Sequence, residues 1–259
     1  MRDVGPLRRR GPIPECDFAM PWGITASRRY IGRAFRCCKR GEAAKCLQCE
    51  SLEGAGKVTE SVLDVRGVSI WKGLLDKPSQ DAMVADLREV ATAAPFRRYE
   101  TPGGRRMSVR MTAAGDLGWV TDRSGYRYDP MQPDGDRWPG IPTSILDVWN
   151  TVSGTSRPPD SCLVNFYGEG AKMGMHQDRD ETDTSWPVVS ISLGDSALFR
   201  VGGTSRGGAT ESVWLDSGDV AVLAGAARLA FHGIDRIRFG SSSLLPEGGR
   251  INVTLRVAG

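Results

Sequence analysis

Only two histidines occur in the 259 residues, His176 and His232, and an acid stands two places after the first. The segment Met175-His176-Gln177-Asp178 reads as part of a β-strand, on which residues i and i+2 share a face. His176 and Asp178 would then approach one ion together. His232, in Phe231-His232-Gly233 and 54 residues beyond Asp178, would complete from a second strand a face of two histidines and one carboxylate. Such a face fills three positions of an octahedron and leaves three open, which suits non-haem Fe(II) and O2 chemistry. An isolated His-x-Asp is common by chance, so the pattern needs support from elsewhere in the chain.

Support comes from the C-terminal strand. Arg250 to Val257 alternates without a break, with Ile251, Val253, Leu255 and Val257 on one face and Arg250, Asn252, Thr254 and Arg256 on the other. Two guanidinium groups and an amide on one face mean either a solvated sheet surface or forked donors for a dicarboxylate. In Leu163-Val164-Asn165-Phe166-Tyr167, Asn165 and Tyr167 likewise share a face and both offer hydrogen bonds to an oxyanion. Metal ligands beside a pocket for two carboxylates are what a 2-oxoglutarate oxygenase requires.

The elements that must position these residues are legible in outline. Met83, Val84, Leu87, Val90 and Ala91 follow helical spacing, predicting a helix over Ser79–Ala94 with Ser79 as N-cap and Pro95 as its stop. A second helix is expected from about Ser144 to Val152. Beyond Pro159 the pattern predicts short strands over Cys162–Tyr167, Met173–Asp178, Val188–Leu193, Ala197–Val201, Val213–Leu215, Val220–Leu223, Leu229–His232 and Ile251–Val257. The expected fold is mainly β with flanking helices (α+β), a jelly roll or other two-sheet barrel.

The net charge of +3 divides unevenly. Residues 1–50 hold 11 Lys/Arg against 5 Asp/Glu, a net of +6, and residues 51–259 hold 23 against 26, a net of −3. Five of the six cysteines lie in the first segment, which reads as a basic, poorly ordered tail over residues 1–55. Its Cys37, Cys38, Cys46 and Cys49 could hold Zn²⁺, but the spacing is loose, and a reduced segment without metal is the alternative. No run of apolar residues is long enough for a transmembrane helix and no secretory signal is evident, so the expected location is cytoplasmic, with no membrane partner.

The residues resemble the AlkB family of Fe(II)- and 2-oxoglutarate-dependent nucleic-acid dealkylases, its bacterial members above all. The resemblance rests on Asn165-x-Tyr167, His176-Gln177-Asp178-x-Asp180-Glu181, Val189-Ser190-x-Ser192-Leu193-Gly194, Phe231-His232-Gly233-Ile234 and Arg250-x-Asn252-x-Thr254-x-Arg256. Upstream it includes Thr101-Pro102-Gly103-Gly104, Met107-Ser108-Val109, Gly118-Trp119 and Gly125-Tyr126-x-Tyr128. It implies a double-stranded β-helix with N-terminal helices, a dioxygenase domain over 56–259, a nucleotide-recognition lid over 97–140 and a core over 160–259. It further implies that His176, Asp178 and His232 hold Fe(II). Arg250 and Tyr167 would take the distal carboxylate of 2-oxoglutarate, with Asn165, Asn252 and Arg256 at the end near iron. Thr101, Met107, Met111, Trp119, Tyr126, Asp180 and Arg206 would meet the substrate, Trp119 and the His176 ring sandwiching the base.

The implied reaction consumes O2 and 2-oxoglutarate, hydroxylates an N-methyl group, and releases formaldehyde, succinate and CO2. Cationic bases such as N1-methyladenine and N3-methylcytosine unpair at little cost and would flip into the pocket. The implied partner is alkylated single-stranded DNA, with double-stranded DNA or RNA as variants, and the implied state is a monomer. The window 97–127 holds seven arginines against three acids, a local +4 among Trp119 and Tyr126, as a single-strand surface requires. Arg105 and Arg200 depart from the family pattern, and both add charge near this surface. Rival readings are an oxygenase acting on RNA, a protein or a small molecule, and a non-catalytic nucleic-acid-binding jelly roll.

Overall fold

The structure, a computed structural model, describes residues 61–259. The basic tail and its candidate zinc thiols lie outside the described residues. Strands β1 (Ser61–Val65) and β2 (Val68–Lys72) come first, followed by helix α1 (Lys77–Ala93). Strands β3 (Arg110–Gly115), β4 (Gly118–Asp122) and β5 (Gly125–Asp129) lead to helix α2 (Thr143–Val152). The remaining strands are β6 (Ser161–Tyr167), β7 (Met173–His176), β8 (Val188–Gly194), β9 (Ala197–Val201), β10 (Glu211–Leu215), β11 (Val220–Leu223), β12 (His232–Ile237) and β13 (Arg250–Arg256).

Seven strands form one sheet in the order β1-β2-β11-β8-β13-β6-β3, and four form a second in the order β10-β9-β12-β7. Strands β4 and β5 pair as a separate hairpin. All named pairings are antiparallel, and non-sequential neighbours such as β8 and β13 show the chain crossing between sheets. This is the expected jelly roll.

Strand β13 lies between β6 and β8, with Ile251, Val253 and Leu255 fully buried. A central strand of this kind has no solvated face, so its polar stripe must find partners inside the protein.

Helix α1 buries the predicted stripe of Met83, Val84, Leu87, Val90 and Ala91 and packs against α2 and β3. Its cap is Asp76 rather than Ser79: the Asp76 carboxylate accepts from the Ser79 N–H at 2.9 Å. Pro78 occupies the first turn, where a missing N–H leaves no bond unmade. Helix α2 matches its expected span and buries Ile145, Val148, Trp149 and Val152.

Two strand expectations change. Strand β7 ends at His176, so Asp178 is not on it. Residues 229–231 form no strand, and β12 begins only at His232. The backbone here turns instead, the Arg228 N–H donating to the Gly225 carbonyl at 3.1 Å and the Ala230 N–H to the Ala227 carbonyl at 3.0 Å, while the Arg228 guanidinium donates to the carbonyls of Trp186 and Asp178, both at 2.6 Å. Five strands, β1 to β5, also lie ahead of the region where the pattern predicts strands.

Asp195, fully buried, accepts from the N–H groups of Gly240 (3.0 Å), Ser242 (3.0 Å) and Gly249 (2.6 Å). It thereby fixes the loop that delivers Arg250 to the start of β13. Replacing it by Ala strands three donors, so Asp195→Ala is expected to lower the unfolding free energy by about 3 kcal/mol or more. Urea denaturation measures this, and a loss below about 1 kcal/mol would show that the carboxylate does not organise the loop.

Candidate active site

His176, the last residue of β7, and His232, the first of β12, are register partners with ring centroids 4.6 Å apart. Ligand atoms of His176, Asp178 and His232 all lie within 4.8 Å of one another. His176 Nε2 stands 3.7 Å from Asp178 Oδ1, and His232 Nε2 stands 3.8 Å from Oδ2. Each ring turns its Nδ1 to a carbonyl two residues back, His176 to Gly174 at 2.9 Å and His232 to Ala230 at 3.0 Å. A proton on each Nδ1 donates to that carbonyl, and this assignment leaves both Nε2 lone pairs facing the carboxylate.

Burial pulls the His232 pKa down to about 4 against the attraction of Asp178, so the ring is neutral at pH 7. Burial alone would raise the Asp178 carboxyl, but Arg256, His232 and His176 together hold it well below the usual carboxylate range. Two imidazoles and one carboxylate converging on a point suit a divalent iron.

Strand alternation does not bring Asp178 to this point; a buried ion network does. Arg256 Nη2 lies 2.9 Å from Asp178 Oδ2, and its Nε lies 3.1 Å from Glu181 Oε1. Arg228 donates to the Asp178 carbonyl and places Nη2 3.2 Å from Glu181 Oε2. The Tyr128 hydroxyl donates to Glu181 at 2.8 Å, and the Trp119 indole N–H donates to Asp180 at 3.0 Å. The β4–β5 hairpin is therefore bonded twice to the loop that carries Asp178. Arg228, Glu181 and Tyr128 are not among the sequence-predicted site residues. A lone cation in the apolar run Ala226-Ala227-Arg228-Leu229-Ala230 is the available signal for Arg228.

A cavity of ≈ 750 Å³ between the sheets joins the triad to the polar stripe of β13. Arg250, Asn252, Thr254 and Arg256 all line it, as do Asn165 and Tyr167, so the stripe faces the cavity rather than solvent. Arg250 is fully buried opposite Tyr167, and among the described residues its side chain makes one hydrogen bond, from Nη2 to Ser192 Oγ at 2.8 Å. Its Nε and Nη1 have no hydrogen-bond partner among the described residues, and burial lowers its pKa to about 10. Buried donors of a guanidinium left unmet fit a carboxylate. Near the triad, Asn165 Oδ1 and Arg256 Nη1 are also unpartnered among the described residues, whereas Asn252 Nδ2 donates to Ser190 Oγ at 2.7 Å and the Ile191 carbonyl at 3.1 Å.

Met107, Met111, Trp119, Tyr126, Asp180 and Arg206 line the same cavity; Thr101 does not. Thr101 instead closes a turn, its Oγ1 accepting from the Arg105 N–H at 3.2 Å. Tyr126 stacks on Trp119 at 5.5 Å between centroids, and Tyr99 meets Trp119 edge-on at 6.4 Å. Of the arginine window, Arg97 pairs with Asp134 at 2.5 Å and Arg127 with Asp122 at 2.8 Å. Exposed Arg98, Arg105, Arg106 and Arg123 form no salt bridge among the described residues. Arg200 pairs with Asp235 at 3.3 Å, which offsets the charge it adds.

The family model of the 2OG-Fe(II) oxygenase superfamily matches residues 67–256. An alpha-ketoglutarate-dependent dioxygenase AlkB homolog of Caulobacter vibrioides is 53% identical over 221 residues, covering 85% of this chain and 97% of its own. The alpha-ketoglutarate-dependent dioxygenase AlkB of Escherichia coli is 41% identical over 184 residues, covering 69% of this chain and 85% of its own. The solved structure of OsALKBH1 superposes with a TM-score of 0.64 at 31% identity, covering 76% of this chain and 99% of that one. With the triad, the cavity and the two-sheet fold in agreement, the chain belongs to the 2OG-Fe(II) oxygenase superfamily and, within it, to the AlkB-type dioxygenases.

Proposed function

We propose that this enzyme demethylates N-alkylated bases of the N1-methyladenine and N3-methylcytosine type, in direct-reversal DNA repair. The carrying observation is that Arg250, with unmet buried donors, lines the same cavity as the His176, Asp178 and His232 group. On this reading those three side chains hold Fe(II). Arg250 and Tyr167 take the distal carboxylate of 2-oxoglutarate, and Arg256, Asn165 and Asn252 serve the end near the metal. The bound iron, with 2-oxoglutarate and O2, supplies the oxidising power that hydroxylates the N-methyl carbon, with succinate and CO2 as co-products. The hydroxymethyl amine then collapses to formaldehyde and the restored base.

The chain's own groups set the substrate. Trp119, held edge-on by Tyr99 and stacked by Tyr126, offers an aromatic wall to the cavity. Asp180, oriented by the Trp119 N–H, keeps a second carboxylate oxygen for the exocyclic amine of a cationic base. Single-stranded DNA is the proposed partner, because Arg98, Arg105, Arg106 and Arg123 are exposed without a salt bridge among the described residues, and Tyr126 is an exposed aromatic. The proposal takes residues 56–259 as the dioxygenase domain, with 97–140 as lid and 160–259 as core, in a monomer acting in the cytoplasm. Arg228 has the role of a positioning residue for Asp178.

Turnover of a methylated oligonucleotide by the Fe(II)-loaded enzyme is expected to yield formaldehyde and succinate in equal amounts. Succinate without formaldehyde across methylated DNA, RNA and nucleosides would overturn the reading, and turnover confined to RNA would reassign the partner. Arg105→Ala/Arg106→Ala is expected to raise KM for a single-stranded oligonucleotide by about 10-fold, with the methylated nucleoside unaffected. Equal effects on both substrates would remove these arginines from the binding surface. Arg228→Gln should weaken Mn(II) binding about 10- to 100-fold by calorimetry, because an unfixed Asp178 must be ordered on binding. Unchanged affinity would assign Arg228 to folding alone.

A further inference from the structure

The outer face of the smaller sheet carries a basic and aromatic surface to which the reading above gives no role. Register fixes which side chains share it. Phe199 and Ile234 line the cavity, so Leu198 and Arg200 on β9 point outward, and with Leu198 its register partners Trp214 on β10 and, past a β-bulge between Ile234 and Arg236, Arg236 on β12. Trp214 and Arg236 both stand opposite Leu198, one on each side of it. The Arg236 guanidinium lies 5.8 Å from the Trp214 ring centroid, and that of Arg238 lies 4.4 Å from it. Both arginines are exposed, and neither forms a salt bridge among the described residues. Phe239 beside them is 44% exposed.

The acids on or near this face are Asp235, Glu211 and Asp216. Arg200 occupies Asp235 at 3.3 Å, and Lys72 and Ser196 engage Asp216 at 3.1 Å and 2.6 Å. Lys72 is shared with the buried Asp219, so Asp216 also acts on Arg238, and with Glu211 it is the acid facing Arg236 and Arg238, neither of which is held in an ion pair among the described residues.

This face and the cavity lie on opposite sides of the same strands and share the sheet end that carries His232. Strand β12 begins at His232 in the triad, and Arg236 stands four residues on, about 13 Å along the strand. Arg206, on the loop between β9 and β10, lines the cavity with its guanidinium 5.2 Å from the Phe231 ring. Arg206, Arg200, Arg236 and Arg238 thus lead from the cavity mouth outward across the sheet. Steps of two residues along a strand are about 7 Å, comparable to the step between phosphates of an extended single strand.

We propose that the outer face of β9, β10 and β12 binds the single-stranded nucleic acid flanking the target base. Arg236 and Arg238 meet its phosphates, and Trp214 and Phe239 meet its bases. This proposal rests on the nucleic-acid reading above.

The test uses the full-length chain and the variant Arg236→Gln/Arg238→Gln, whose two exposed positions leave the core untouched. Fluorescence anisotropy with an unmodified single strand of about twelve nucleotides gives Kd across a salt series. The variant is expected to bind about 10-fold more weakly, with a plot of log Kd against log salt shallower by about 1.4, or about 0.7 for each phosphate that an arginine no longer neutralises. Demethylation of a trinucleotide with a central N3-methylcytosine, too short to reach this face, should stay within about twofold of the unsubstituted enzyme. Equal Kd and equal slope for the two proteins would overturn the proposal, as would a matching loss on the trinucleotide. If the unsubstituted enzyme demethylates no oligonucleotide, the substrate reading falls, while the anisotropy comparison still decides whether this face binds a strand.

Discussion

Two guanidinium groups buried on one face of β13 set the requirement that the rest of the site answers. A buried cation without a partner is costly by several kcal/mol, so each must be matched by negative charge or be held where a ligand will match it. Arg256 is matched internally by Asp178 and Glu181, and burial notwithstanding, those neighbours keep it firmly protonated. Arg250 is not: one serine hydroxyl serves it, and the nearest acids act on it only at a distance. The contrast divides the cavity into an end already neutral and an end prepared for an anion.

Matching Arg256 has a consequence for geometry. The carboxylate that neutralises it is also the one facing both histidines, so the order of the metal group depends on an ion network of four side chains from three separate stretches of chain. Glu181 and Asp180 extend that network to Tyr128 and Trp119 on the β4–β5 hairpin. The wall against which a base would stack and the carboxylate of the metal group are therefore parts of one bonded unit. A displacement of the hairpin changes the surroundings of Asp178.

How much of this is legible in the sequence follows from whether the signal is local. The β13 stripe is readable because strict alternation puts Arg250, Asn252, Thr254 and Arg256 on one face wherever the strand lies. Helix α1 is readable from its spacing, yet the pattern places its cap at Ser79, whereas Asp76 caps it and Pro78 is a first-turn residue. Strand geometry anticipates the grouping of His176 with Asp178, but the strand stops at His176 and the approach is made by Arg228 and Arg256. Partners 50 and 78 residues distant from Asp178 leave no local pattern. The free charge of the arginine window is smaller than its sequence suggests for the same reason: Arg97 is answered by Asp134, which lies beyond residue 127.

The account turns on Arg250 as the anchor for a second carboxylate, and the most direct measurement compares two keto acids. Calorimetry on the Mn(II)-loaded full-length protein gives the affinities of 2-oxoglutarate and of 2-oxobutyrate, which keeps the keto-acid end but lacks the distal carboxylate. The account predicts that 2-oxoglutarate binds at least about 100-fold more tightly and that Arg250→Met closes most of that gap. Comparable affinities in the unsubstituted protein, or a gap that survives the substitution, would contradict it.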